Sequence, residues 1–331
     1  LSKMSNLFLK SSIIHKPKTE VSFTPSFNDL LDLIHFGLTI HNPIILEGSP
    51  GQGKHAAINY IAELLDINVV QITISQSTKV EDLFGKETID RDNNGIRVKM
   101  VDTDFVKIIK ASNNDSKRSL IILENINNSS PAILNALVPV FNTHSSNIFL
   151  PNGKTINRGQ FDIIAIFNTR QVSSSKDKLP SSLINSSIYH IVSKPNEEEV
   201  LSIILTKFAE VGLNVNEAFY FNIAFQKAKS MFSNEGSSSD LFTLNDVQKY
   251  ILFRTLTEDC FDKDTILQMI FAYRFSNSES ISKMIKLLDL EEMKFVPIFD
   301  YNVPPTELFI RISNKLGKDD DNKSKKILSL P

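Results

Sequence analysis

This chain of 331 residues has little of several things that would direct it to a particular class of protein. Its single cysteine, Cys260, excludes an internal disulfide framework, and its helical surroundings read as a buried thiol in a reducing compartment. No run approaches the roughly 18 apolar residues that cross a bilayer, and the N-terminus lacks the charged-then-apolar order of a signal peptide. A soluble protein with no membrane partner is expected. The net charge of -2 shows no excess of either sign, so the whole chain gives no direct nucleic-acid signal. His15, His35, His41, His144 and His190 show none of the spacing that clustered zinc ligands need. What is present, 41% hydrophobic and 22% charged residues, suits a globular protein with a large core or two domains. The chain opens on Leu1 and closes on Pro331 after the alternating charges of residues 318–326, a solvated tail. Both ends read as linkers of a longer protein.

The strongest local signal is Gly48-Ser49-Pro50-Gly51-Gln52-Gly53-Lys54-His55, which fits the phosphate-binding loop G-x-x-x-x-G-K-[ST] everywhere except its last position. The apolar run 43–46 precedes it as a buried strand would. Ala57, Ile58, Ile61, Leu64 and Leu65 follow with helical spacing. In such a loop, backbone N–H groups and a helix N-terminus cradle phosphate oxygens, and the lysine adds charge at the outer phosphates. The final hydroxyl ligates magnesium, and His55 has none. Gly48, Ser49, Pro50, Gly51, Gln52, Gly53, Lys54 and His55 are therefore the candidate nucleotide-binding residues, with magnesium short of one ligand.

Around this loop the pattern alternates. Ser26 can cap a helix through Ile40 with Leu30, Leu31, Ile34 and Leu38 as its buried stripe, and Pro131–Phe141 starts at a suitable proline. Asp104–Ala111 also looks helical. Strand-like runs stand at 43–46, 69–74, 120–123, 162–167 and 187–192, and Asn152-Gly153-Lys154 reads as a hairpin turn. Five strands alternating with helices predict a parallel sheet between helices, a P-loop α/β fold followed by an α-helical lid. The expected domains are a leading linker at 1–23, the α/β core at 24–193, the lid at 194–277 with a loose loop at 234–239, and a helical or linker segment at 278–331.

Enzymes with this loop usually end a second strand with an acidic pair, one residue for magnesium and, in one large group, one to activate water. Here the pair is Glu124-Asn125. Glu124 keeps a carboxylate that can hold a water-bridged magnesium ion, whereas Asn125 cannot take a proton from the attacking water. General-base help is worth about 100- to 10,000-fold.

Several words along residues 26–255 together resemble the midasin-like, dynein-related branch of the AAA+ ATPases. They are the run Pro43 to Lys54, Asp82-Leu83-Phe84-Gly85, Asn125-Ile126-Asn127 and Phe149-Leu150-Pro151. The resemblance implies ATP or ADP as ligand and neighbouring AAA+ modules of one ring as partners. It also implies a parent protein in the nucleus that uses ATP to remodel precursor large ribosomal particles. Carried over by position, Asn168 is the sensor asparagine. The word that would give an arginine to a neighbour reads Leu183-Ile184-Asn185-Ser186-Ser187, and the word that would give one in cis reads Thr243-Leu244-Asn245-Asp246. His55, Asn125, Ser186 and Asn245 thus depart together, and the resemblance implies a degenerate module that binds nucleotide weakly and does not hydrolyse it. Two alternatives stay open. One is an active ATPase with Glu124 on magnesium and Asp162 or Asp102 as base; the other is an interaction module using the Phe219, Phe221, Phe225 and Phe232 stripe.

Overall fold

A computed structural model of the chain describes residues 21–92, 95–111, 118–168, 179–233, 241–256, 261–275 and 277–290. Cys260, Thr169, the 234–239 loop, the 318–326 tail and the side chain of Phe232 lie outside the described residues. The chain divides into two compact units, Leu1–Thr206 and Lys207–Pro331.

In the first unit, β1 (Ile44–Gly48), β2 (Asn68–Thr73), β5 (Ser119–Glu124), β8 (Phe161–Asn168) and β9 (Ile188–Ile191) form one sheet in the order β2-β5-β8-β1-β9. Every pairing in it is parallel. Strands covered on both faces read as near-continuous apolar runs, as 120–123 of β5 and 163–167 of β8 do, instead of alternating. Ile121, Leu123, Ile163 and Ala165 face one layer, formed by α3 (Val80–Phe84), α4 (Asp104–Ala111), α5 (Pro131–Phe141) and α6 (Ser181–Asn185). Leu120, Ile122, Ile164 and Ile166 face the other layer, formed by α1 (Pro25–Thr39) and α2 (Lys54–Leu64). The five expected strands are the five of this sheet.

Local details differ from expectation. The α1 cap is Thr24, whose Oγ1 accepts from the Phe27 N–H at 3.4 Å; Ser26 instead lies within the first turn and gives its N–H to Glu199 at 2.7 Å. The expected hairpin is β6 (Asn147–Phe149) with β7 (Thr155–Asn157). A second hairpin, β3 (Lys86–Asp92) with β4 (Gly95–Val101), was not expected. In the sequence, Asn94-Gly95 is a hairpin signal, and Ile96, Val98 and Met100 alternate with polar residues after it.

The second unit is helical: the end of α7 (Glu197–Glu210), then α8 (Val215–Ser233), α9 (Asn245–Leu256), α10 (Lys263–Leu267), a π turn at Gln268–Ala272, and α11 (Ser278–Leu287). Phe208, Phe221, Phe225, Tyr250 and Phe271 make its buried aromatic core. The expected phenylalanine stripe therefore splits. Phe221 and Phe225 are interior, whereas Phe219 is 44% exposed beside Val215 and Ile223 on the opposite side of α8. Asp246 is buried under Arg274 and Lys249 and accepts the Thr243 N–H at 2.9 Å, tying the segment before α9 to its first turn.

Because Ile164 is wholly buried at the centre of the sheet, Ile164→Ala is expected to cost about 2–5 kcal/mol in urea unfolding. A loss below about 1 kcal/mol would contradict the packing described here.

Candidate phosphate-binding site

Parallel strands end on the same side, and register decides which residues share that edge. Gly48 pairs with Asn168, Glu124 pairs with Ile166, and Thr73 pairs with Glu124. The last residues of β1, β8, β5 and β2 therefore form one row at the carboxyl edge, where open α/β sheets take their ligands.

The loop rises from this row. Gly51 and Gly53 both have φ of 80°, in the left-handed region that glycine enters without penalty. At Gly53 a Cβ would also stand 3.3 Å from the Phe27 ring of α1. Gly53 is the N-cap of α2 and offers no side-chain cap, and a helix N-terminus favours an anion. Lys54 is 4% exposed, and its Nζ donates to the carbonyls of Gly48 at 2.9 Å and Ser49 at 2.8 Å. Ser49 is buried and Pro50 exposed. The Gln52 side chain folds over Gly48, close enough to exclude a Cβ there, and its Oε1 is buried without a hydrogen-bond partner.

At the edge row the candidate chemistry is paired with itself. His55 Nε2–H donates to Glu124 Oε1, and Thr73 Oγ1 donates to Glu124 Oε2 at 3.0 Å. Burial pushes the Glu124 carboxyl up, but hydrogen bonds from His55, Gln71 and Thr73 outweigh it and hold the group below the usual carboxylate range. Asn125 follows with φ of 55°, a left-handed turn that asparagine tolerates better than most residues. Its Oδ1 accepts from Asn168 Nδ2 at 2.7 Å, and Asn127 Nδ2 donates to the Asn168 carbonyl at 3.2 Å. The structure brings Glu124, Asn125 and Asn168 to this one edge. The contacts of His55 with Glu124 and of Asn125 with Asn168 were not foreseen.

Asp162, one of the two alternative bases, does not reach this row. Asp162 stands six residues before Asn168 on β8, about 20 Å away at ~3.3 Å per residue, on the opposite edge of the sheet. There it is buried against Arg118 and lies 3.3 Å from His41 Nδ1. Asp102 is paired with Lys110. Ser186 ends α6, its Oγ donating to the Ser182 carbonyl at 2.8 Å.

Residues 43–185 match the AAA domain of the dynein-related subfamily. Midasin of Giardia intestinalis is 31% identical over 151 residues, 45% of this chain and 3% of that protein. The chain carries a midasin-like AAA+ module. Midasin of Dictyostelium discoideum is 25% identical over 190 residues, 56% of this chain and again 3% of its own length. This chain therefore spans only a small part of the curated relatives it matches. A solved RuvB mutant of Thermotoga maritima aligns with TM-score 0.46 and 12% identity over 83% of this chain and 74% of its own. The module has the P-loop, nucleotide-binding architecture of its class, and among the described residues no helix is long and apolar enough to cross a membrane.

Two outcomes follow from the site. Asp162→Asn should lower stability by about 3 kcal/mol by leaving Arg118 uncompensated, while nucleotide affinity, measured by titration, stays unchanged; a matching loss of affinity would return Asp162 to the site. Glu124 has a lowered folded pKa, so its stabilising share is complete above the ordinary carboxylate pKa of about 4 and is lost as pH falls through the folded value. In denaturant melts across pH, the gap between wild type and Glu124→Gln should close on acidification. A gap that widens would reverse the sign.

Proposed function

We propose that this chain is a nucleotide-holding, non-hydrolysing AAA+ module of a larger midasin-like ring protein. The observation that supports it most directly is the Asn125 amide, bonded at 2.7 Å to Asn168 where a catalytic carboxylate and its sensor would cooperate. An amide cannot take the proton of an attacking water, so general-base help is missing. The arginine that a neighbouring module would need is replaced by Ser186, and such an arginine is worth about 1,000- to 100,000-fold. The loop itself keeps its glycines, its helix N-terminus and Lys54, so phosphate can still be held, weakly, once Lys54 leaves the carbonyls of Gly48 and Ser49.

In this reading the partners are the neighbouring AAA+ modules of one ring, and the ligand is ATP or ADP. By the resemblance of its sequence words, the proposal extends to the parent protein: ATP-driven remodelling of precursor large ribosomal particles in the nucleus, with this module transmitting force or holding shape.

Titration with fluorescent ATP and ADP analogues should give Lys54-dependent binding, lost in Lys54→Ala, with phosphate release no faster than in the absence of protein. Release that exceeds that background and disappears in Lys54→Ala would refute the non-hydrolysing reading.

A further inference from the structure

Phosphate loops of this class hold their nucleotide together with magnesium, and the residues present can be tested against that ion. Magnesium demands a near-octahedral shell of oxygens at about 2.0–2.1 Å. The loop hydroxyl that would supply one is replaced by the imidazole of His55, a ligand suited to zinc, copper or iron more than to a hard cation. The remaining carboxylate is engaged on both oxygens, Oε1 by His55 and Oε2 by Thr73 at 3.0 Å. Among the described residues no group of three or more His, Cys, Asp or Glu is arranged to hold a metal ion. The ion does not fit.

We infer that this loop takes its nucleotide as the free polyphosphate anion, with the contact between His55 and Glu124 closing the position that magnesium would need. The inference rests on the nucleotide-binding reading above and specifies the ligand's form. Its physics is a balance of charge. An unpartnered carboxylate at the end of β5 would repel the outer phosphates across the row. The His55 N–H and the Thr73 hydroxyl offset that repulsion where a cation otherwise would. Lys54, the glycine backbone and the α2 N-terminus then supply the attraction. Magnesium in solution coordinates the phosphate oxygens and competes with those donors.

Calorimetric titration of the 331-residue chain with ATP and with ADP, each in excess EDTA and in excess magnesium, tests this. The wild type should bind the free anion at least as tightly as the magnesium complex. His55→Thr restores the hydroxyl and frees Glu124, and should bind about tenfold tighter with magnesium than without, the scale of a restored metal partner. His55→Ala, which frees Glu124 without adding a hydroxyl, should fall between the two. A wild-type affinity that rises tenfold on adding magnesium overturns the inference and leaves the nucleotide-binding reading standing. A His55→Thr protein that is folded by circular dichroism, binds nucleotide and stays indifferent to magnesium overturns the role given to the contact. No binding of either nucleotide to wild type or variant, in any condition, overturns the nucleotide-binding reading together with the inference.

Discussion

The parallel register of the central sheet is the constraint on which the rest depends. β1 lies between β8 and β9, so the loop after Gly48 opens beside the end of β8, with the end of β5 one strand further on. A slip of one residue would turn each apolar side chain to the opposite layer, and the two buried clusters forbid it. Core packing therefore fixes the row of Gly48, Asn168, Glu124 and Thr73, and any chemistry at the edge inherits that geometry.

Within the row, polar groups have found partners among themselves. Lys54 donates to loop carbonyls, His55 to Glu124, and Asn168 to Asn125. A buried or half-buried polar group left alone costs about 1–3 kcal/mol, which these mutual contacts avoid. Asn125 adds to this. Its left-handed backbone suits asparagine better than most residues, so Asn125 is locally consistent with the turn that follows β5.

Much of the fold was legible because its signals are local. Apolar runs bounded by turn residues marked each strand of the sheet, and the stripes on α1 and α2 marked their buried faces. The β3–β4 hairpin had local signals too, Asn94-Gly95 beside the alternating Ile96, Val98 and Met100, though the expected strands do not include them. Helix caps are equally local but compete over one or two positions. Thr24 took the role that Ser26 also offered, since Pro25 is favoured at the first helical residue and Ser26 bonds to Glu199.

Sequence alone determined the loop, the lysine and the identities of the altered residues, because each is a matter of residue type at a fixed local spacing. Only the tertiary structure decided what those residues touch. His55 and Glu124 are separated by 69 positions, and Asn125 and Asn168 by 43. Asp162 is apolar-flanked and acidic like a strand-end carboxylate, yet it begins β8 and so stands on the wrong edge. Contacts of this range are set by crossover connections and strand register, which bring together side chains that no local period relates.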